Sequence, residues 1–214
     1  MVIIAGAGLT GLSCALELLE TNREVTLFEA RQEIGNPVRS PGLLRNINPK
    51  YIEICCATSG PLGWGFRREW LEKEMAREVL EMGGKINLKT RAPEGAIDCT
   101  GGKSPAPGWP VGARDNSLIN WSGGITIEDN LPDEFSINTQ TEDTLCFQRG
   151  DGLVECWSRN DKLPRPKQGW LEVMKGEHPA TPEEISGDDA IIQGKAIARK
   201  IIQSEPGVPN YDAR

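Results

Sequence analysis

The segment Val2-Ile-Ile-Ala-Gly-Ala-Gly-Leu-Thr-Gly11 decides the fold that we predict for this chain. Residues 2–5 are apolar and partly β-branched, which is typical of a parallel strand covered on both faces. Three glycines in the spacing Gly-x-Gly-x-x-Gly follow, and residues 12–21 then carry an apolar helical stripe. Because residues 24–29 have the composition of a second buried strand, the sequence predicts a βαβ unit.

The glycine spacing predicts a dinucleotide site at the start of the helix. The first two glycines let backbone N–H groups approach a pyrophosphate, and the third lets the helix pack closely on the strand. An acidic residue, Glu29, ends the second strand, where a carboxylate binds both hydroxyls of an adenosine ribose and repels a 2′-phosphate. The alternative is a structural turn without a ligand. The residues expected around the dinucleotide are Gly6, Gly8, Leu9, Thr10, Gly11, Glu29, Ala30 and Arg31.

Composition narrows the class of protein. The chain has 214 residues and a formal net charge of −7, and no run of Lys or Arg attracts a nucleic acid. The apolar start has no basic segment before it and is broken at Gly6, which argues against a secretion signal. No apolar run reaches the roughly 18 residues of a membrane span. We expect a soluble, cytoplasmic protein, for which peripheral contact with lipid stays open.

Six cysteines are scattered along the chain without Cys-x-x-Cys spacing. This pattern favours reduced thiols over a disulfide framework, and it predicts neither a zinc site nor an iron–sulfur cluster. We therefore expect no bound metal.

The remaining segments predict a second, smaller domain. Residues 34–66 are rich in Gly and Pro and are predicted to be irregular, whereas residues 68–82 form an amphipathic helix that ends at a Gly pair. A Pro- and Gly-rich linker occupies residues 103–116. Further strands are predicted at 85–89, 96–100, 124–128, 135–138, 144–148, 153–159 and 170–175, and a closing helix at 189–203.

These elements predict an α/β fold, in which a Rossmann-like parallel sheet carries a small inserted antiparallel β subdomain. The first domain is discontinuous and comprises residues 1–117 and 170–214. The inserted subdomain comprises residues 118–169.

Three segments outside the glycine loop carry a resemblance to a known family. They are Gly35-Asn-Pro-Val-Arg-Ser40, Arg68-Glu-Trp-Leu-Glu72 and Ile97-Asp-Cys-Thr-Gly-Gly-Lys-Ser104. They are similar to the Gly-x-Pro-Val-x-Cys, Arg-x-x-Leu/Phe-Asp and Asp-Ala-Thr-Gly-x-x-Ser segments of FAD-dependent oxidoreductases, a family that includes geranylgeranyl reductases and aromatic hydroxylases. Serine replaces the family's cysteine at position 40, and Glu replaces Asp at position 72.

A fourth segment, Gly176-Glu-His-Pro179, resembles the family's Gly-Asp motif, with Glu in place of Asp. The helix after it resembles the closing helix whose start approaches the flavin. However, Glu183, Glu184, Asp188 and Asp189 stand where the family has glycines, so we expect carboxylates there to crowd or repel a reduced flavin. The resemblance implies FAD, with NAD(P)H as a candidate electron donor, and it adds Pro37, Arg39, Ser40, Arg68, Thr100, Gly101, Gly102, Gly176 and Glu177 as cofactor residues.

Three residues are candidates for catalysis. His178 is the single histidine and has a suitable pKa range for exchanging protons with flavin or substrate; the alternative is a loop histidine that bonds to the backbone. Cys55 and Cys56 precede a glycine-rich segment that borders the flavin in the family, so a thiol there is a candidate proton donor or redox partner. The alternative is a pair of buried, inert cysteines.

The sequence thus predicts an FAD-dependent oxidoreductase that transfers hydride between flavin and an apolar small molecule. The resemblance suggests reduction of an isoprenoid double bond, although the Tyr-x-Trp-x-Phe-Pro pattern of geranylgeranyl reductases is absent from the sequence. Two alternatives remain open: a non-catalytic flavin-binding carrier, sensor or partner protein, and a flavin-dependent monooxygenase. The oligomeric state is not predicted.

Overall fold

The computed structural model describes residues 1–100, 117–159 and 162–204. These residues form the predicted α/β fold, with three α-helices and twelve strands among them. In chain order the elements are β1 (Val2–Ala5), α1 (Leu9–Leu19), β2 (Val25–Glu29), β3 (Leu43–Leu44), β4 (Thr58–Gly60), β5 (Gly63–Gly65), α2 (Arg68–Glu81), β6 (Lys85–Leu88), β7 (Ile97–Asp98), β8 (Ile119–Thr126), β9 (Thr139–Gln140), β10 (Thr144–Gln148), β11 (Val154–Arg159), β12 (Glu172–His178) and α3 (Asp188–Ser204).

The chain divides into two compact units, and their bounds differ from those of the predicted domains. Unit 1 comprises Met1–Gln32, Met75–Gly112 and Ala190–Arg214. Unit 2 comprises Glu33–Glu74 and Ala113–Asp189. The predicted linker at 103–116 lies outside the described residues.

Unit 1 contains a parallel sheet in the order β6-β2-β1-β7. The predicted βαβ unit is present, and α1 begins at Leu9, three residues before the predicted start of the helix at residue 12. The early start follows from Leu9 itself, whose side chain is buried together with Leu12 and Ala15. The predicted stop of α2 is also present, because Gly83 adopts a left-handed φ of 87° directly after the helix.

Unit 2 contains two antiparallel sheets. The segment predicted to be irregular, 34–66, lies mostly outside helices and strands, but eight of its residues form the short three-stranded sheet β3-β5-β4. The second sheet has the order β12-β8-β11-β10-β9. Its core consists of fully buried large side chains: Leu43, Trp121, Leu145, Phe147 and Trp157. The predicted strand at 135–138 is absent among the described elements, and β9 follows it instead.

The position of β12 corrects another prediction. The sequence assigned the predicted strand at 170–175 to the first domain, but β12 lies in unit 2, where all seven of its residues pair antiparallel with β8. Gly123 and Gly124 of β8 explain part of this pairing, because Trp157 and Trp170 lie directly over them. Side chains at these two positions would collide with the indole rings.

No helix in the described part of the chain is long and apolar enough to cross a bilayer.

Candidate active site

The glycine loop of unit 1 is held by direct contact between backbones. Gly6 has a left-handed φ of 97°, and a Cβ there would lie 2.9 Å from the carbonyl oxygen of Cys99. A Cβ on Gly11 would overlap the carbonyl oxygen of Gly6. Strand β1, helix α1 and the end of β7 therefore meet at distances that side chains at these two positions do not permit.

Gly8 differs from the other two glycines because it faces open space. It is the N-cap of α1, and a Cβ added to it would meet no protein atom within 4 Å among the described residues. No side chain caps the helix, and its first turn, which includes Leu9 and Thr10, has no acidic residue. Backbone N–H groups at such a helix start are a ready anion site, so the loop fits a pyrophosphate.

The carboxylate of Glu29 lies at the end of β2, as predicted, and is bound to the glycine loop. Its Oε2 accepts a hydrogen bond from the N–H of Ala7 at 2.9 Å, and its Oε1 accepts one from the N–H of Arg31 at 2.9 Å. The Arg31 guanidinium donates to both oxygens, at 3.2 and 3.1 Å. Burial acts to raise the pKa of Glu29, but Arg31 and the Ala7 N–H hold that pKa below its ordinary value. Glu29 is therefore an ionised acceptor, and half-buried Ala30 lies beside it.

A tight turn follows β7. The Asp98 carboxylate accepts hydrogen bonds from the N–H and the hydroxyl of Thr100, at 2.8 and 2.6 Å. Its neighbour Cys99 is buried, and the adjacent Cys14 thiol together with burial raises the pKa of Cys99. Cys99 is thus an inert thiol under the glycine loop. The predicted cofactor residues Gly101 and Gly102 lie outside the described residues.

In unit 2, residues 39–42 form a segment whose backbone is fixed from several sides; we call it the anchored segment. The carbonyl oxygen of Arg39 lies 3.0 Å from Nε2 of His178. A Cβ on Gly176 would overlap the same carbonyl, so β12 approaches the anchored segment with no space between them. The side chains of Arg39 and Pro37 are exposed, and that of Ser40 is half-buried.

Arg68 also binds the anchored segment. Its guanidinium donates to the carbonyl oxygen of Pro41 at 3.3 Å and pairs with Glu72 one turn along α2 at 2.9 Å. The Arg68 side chain is only 12% exposed, so it is not a solvated residue at the start of the helix. In the structure, the Arg68 guanidinium binds Pro41 and Glu72, which both lie in unit 2. A cofactor role for Arg68 stays a prediction.

Glu155, which the sequence interpretation missed, completes the anchor. This carboxylate is 1% exposed, and it accepts hydrogen bonds from the N–H of Gly42 at 3.1 Å and the indole N–H of Trp157 at 2.8 Å. Arg149, itself buried, lies 3.4 Å from its other oxygen and pairs with Asp151 at 2.5 Å. Burial raises the pKa of Glu155 despite these partners. In the sequence, a carboxylate within an alternating strand looks like part of a solvent face, and this hid its role.

The three catalytic candidates have different surroundings. His178 is 7% exposed, ends β12 and packs edge-on against Trp157 with ring centroids 5.4 Å apart. Cys55 is fully buried, and burial raises its pKa to about 11, so it is a protonated thiol at neutral pH. Cys56 is half-buried and has a left-handed φ of 49°. Catalytic roles for His178, Cys55 and Cys56 stay predictions. Glu177, a predicted cofactor residue, is half-buried and pairs with Asn120 in the sheet.

Asp188 adds an unexpected contact at the start of α3. Its carboxylate is buried and accepts three backbone hydrogen bonds, from the N–H groups of Arg45, Asn46 and Ile47, at 2.7 to 2.9 Å. These donors bind the charge that we expected to repel a reduced flavin. The carboxylate is therefore a structural cross-link within unit 2.

Comparison with known proteins finds a family match in the first part of the chain. Residues 1–100, a little under half of the chain, match the family described as FAD dependent oxidoreductase. The matched region contains the glycine loop, Glu29, the anchored segment and α2, so the predicted resemblance is confirmed.

Curated relatives point to reductases. The digeranylgeranylglycerophospholipid reductase of Methanosarcina acetivorans is 28% identical over 117 residues, which cover 42% of this chain and 29% of the relative. The enzyme of the same name from Methanocella arvoryzae is 30% identical over 117 residues, 42% of this chain and 30% of the relative. The similarity thus spans less than a third of these relatives.

Solved structures share the fold over nearly the whole chain. A geranylgeranyl bacteriochlorophyll reductase-like protein from Thermoplasma acidophilum has a TM-score of 0.64 at 13% identity and covers 95% of this chain and 78% of its own. The flavin-dependent brominase Bmp2 also has a TM-score of 0.64, at 12% identity, and covers 95% of this chain and 79% of its own. At this identity the likeness establishes the fold.

Proposed function

We propose that this protein is an FAD-dependent oxidoreductase that acts on an apolar small molecule. The observation that carries the proposal is the open start of α1 at Gly8, next to the ionised carboxylate of Glu29. The N–H groups of the first turn supply an anion site for the pyrophosphate, and the carboxylate supplies an acceptor for the adenosine ribose. The match of residues 1–100 to the family described as FAD dependent oxidoreductase also supports FAD as the cofactor.

In unit 2, the exposed side chain of Arg39 and the half-buried Ser40 would contribute to holding the cofactor. Their backbone is fixed by His178, Gly176 and Glu155, which gives these residues a defined place before any ligand arrives. When bound, FAD supplies two-electron oxidation and reduction. The carboxylates of Glu155 and Asp188 are already bound within unit 2, so they hold its backbone in place.

We further propose an isoprenoid double bond as the group that is reduced. The support is the name of the curated relatives, which specifies the reduction of a digeranylgeranylglycerophospholipid. NAD(P)H is the electron donor that we would test first. Two outcomes would contradict this proposal: monooxygenation of the substrate, and flavin binding without catalysis.

The test begins with the purified protein. We expect a flavin absorbance spectrum, or its appearance after addition of FAD, followed by bleaching with dithionite and with NAD(P)H under anaerobic conditions. Reoxidation by an isoprenoid lipid in the absence of oxygen supports the reductase. Substrate-dependent oxygen consumption with a hydroxylated product supports a monooxygenase instead. A flavin that only dithionite reduces favours the non-catalytic alternative.

The variant Gly8→Val tests the proposed pyrophosphate site. The φ of −88° at Gly8 is accessible to valine, and a Cβ added there meets no protein atom within 4 Å among the described residues, so we expect normal thermal unfolding. The isopropyl group would fill the position proposed for the pyrophosphate, so we expect loss of FAD binding. A colourless wild-type protein that ignores added FAD, or a Gly8→Val protein with full flavin, would refute the proposed site.

A further inference from the structure

Helix α3 contacts α1 at a buried glycine. Gly194 lies within α3, and both Gly194 and α1 belong to unit 1. A Cβ on Gly194 would overlap the carbonyl oxygen of Thr10 and would lie 2.9 Å from Cβ of Ser13 and 3.1 Å from the backbone nitrogen of Cys14. The backbone of α3 therefore rests on the backbone of α1.

The position of this contact along α1 matters more than its closeness. Thr10 is the second residue of α1, and Ser13 and Cys14 continue the same helical face by three and four residues. The contact thus lies in the first turn, whose N–H groups point toward the open space at Gly8. One further interaction lies farther along α1, where Arg199 pairs with Glu17 at 3.1 Å.

We propose that Gly194 is a positioning residue for the dinucleotide. By admitting the carbonyl of Thr10, it fixes the first turn of α1 and hence the N–H donors at the anion site. The inference rests on the proposed function for the identity of the ligand. The inference adds α3 to the dinucleotide-binding unit. This helix begins at Asp188, 88 residues after the end of the family match at residue 100.

The opposite expectation follows from helix propensity alone. Glycine inside a helix is less favourable than alanine, because glycine loses more backbone entropy on folding. Gly194→Ala would then stabilise α3 and leave α1 unchanged. The added methyl group meets backbone atoms, however, and these cannot rotate away as a flexible side chain would. Our inference therefore predicts a displaced first turn of α1 and weaker binding.

The experiment compares the wild type with Gly194→Ala in two measurements. Hydrogen exchange of residues 6–13, measured without any ligand, should become faster in the variant. Binding of FAD, followed by fluorescence, should weaken by about tenfold, and ADP should lose affinity by the same factor because it carries the pyrophosphate and adenosine alone. A merely structural loss would lower the unfolding midpoint without this parallel change in the two affinities.

Ala196→Gly is the control. Ala196 is exposed on α3, so its replacement weakens the helix by propensity and leaves the contact with α1 intact. We expect a lower unfolding midpoint with unchanged FAD and ADP affinity. Unchanged exchange of residues 6–13 in Gly194→Ala, or wild-type affinity for both ligands, overturns the inference. A wild type that binds neither ligand refutes the proposed function, while the exchange measurement still decides whether Gly194 positions α1.

Discussion

The glycine loop in unit 1 and the anchored segment in unit 2 are fixed by different means. In the loop, backbone packs on backbone, since Gly6 and Gly11 leave no space for a side chain. In the anchored segment, buried side chains from other strands bind the main chain, as Glu155 binds Gly42 and His178 approaches Arg39. Both regions also use the other means, since Glu29 binds Ala7 in the loop and Gly176 packs on Arg39 in the anchored segment. We expect residue size to have the larger effect in the loop, and buried charge and hydrogen bonding to have the larger effect in the anchored segment.

The largest effect is expected when the charged anchor is removed. Glu155→Ala leaves the Gly42 N–H and the Trp157 indole without their acceptor, and it removes one of the two carboxylates beside Arg149. Removing one partner of a buried ion pair costs about 3 to 5 kcal/mol, so the free energy of unfolding of unit 2 should fall by this amount. Tryptophan fluorescence during urea unfolding measures it, because unit 2 contains Trp64, Trp70, Trp121, Trp157 and Trp170.

Glu155→Gln is the matched variant, because its amide oxygen still accepts the two hydrogen bonds. We expect Glu155→Gln to lose clearly less stability than Glu155→Ala. Equal losses in the two variants would mean that the hydrogen bonds to Gly42 and Trp157 contribute nothing, and the contrast between the two regions would fail.

A smaller effect is expected for size in the glycine loop. Gly11→Ala forces a methyl group onto the carbonyl of Gly6, and overpacking of this kind costs about 1 to 3 kcal/mol. Gly8→Ala meets no atom among the described residues and should stay within about 0.5 kcal/mol of the wild type. Hydrogen exchange of residues 2–19 measures the difference. Two equally stable variants would show that close packing does not fix the loop.

Asp188 tests whether the hydrogen-bonding principle of unit 2 extends beyond the anchored segment. Asp188→Ala leaves the N–H groups of Arg45, Asn46 and Ile47 without their acceptor, which should cost about 2 kcal/mol because the lost bonds involve a charge. Asp188→Asn keeps one acceptor oxygen and should recover part of the loss. Urea unfolding followed by tryptophan fluorescence checks both variants, and an unchanged midpoint in Asp188→Ala would contradict the prediction.

The smallest effect concerns pH, and here the two regions differ in sign. The pKa of Glu29 is lowered in the folded protein from 4.5, so its contribution to stability is present above that value and is lost as the pH falls through the lowered pKa. The pKa of Glu155 is raised, so its ionisation opposes folding and its contribution becomes more favourable as the pH falls. Between pH 5 and pH 3, roughly, unfolding of Glu29→Gln should depend less steeply on pH than that of the wild type. Above about pH 4.5, where the raised pKa of Glu155 has its effect, Glu155→Gln should show the opposite change.

The same contrast explains what the sequence could predict. The glycine loop and Glu29 were predicted correctly in position because their contacts involve neighbours along a βαβ unit, where spacing alone places the residues. Strand β10 was predicted with its observed bounds because a short apolar run, Leu145 to Phe147, lies between the polar residues Thr144 and Gln148. Local patterns determine both.

The rest depended on contacts between distant residues. Strand β12 was recognised as extended, but its pairing with β8 depends on Gly123, Gly124 and the indoles above them, which no local pattern reveals. The anchor at Glu155 joins residues 113 positions apart. The three donors to Asp188 lie more than 140 positions earlier in the chain, so the sequence did not reveal these hydrogen bonds. Its carboxylate was therefore expected to crowd or repel the flavin.

The hydrogen bonds of Glu29 have a consequence for nucleotide choice. Both oxygens already accept hydrogen bonds, from Ala7 and from Arg31, so an arriving ribose exchanges one donor for another. Such an exchange gives little net affinity, because a bond to the protein is lost for each bond to the ligand gained. A nucleotide with an anionic group on the ribose, in contrast, would bring a charge against an ionised carboxylate. In the proposed site, Glu29 would therefore select which nucleotide is accepted, and the strength of binding would come from the pyrophosphate and from the rest of the ligand.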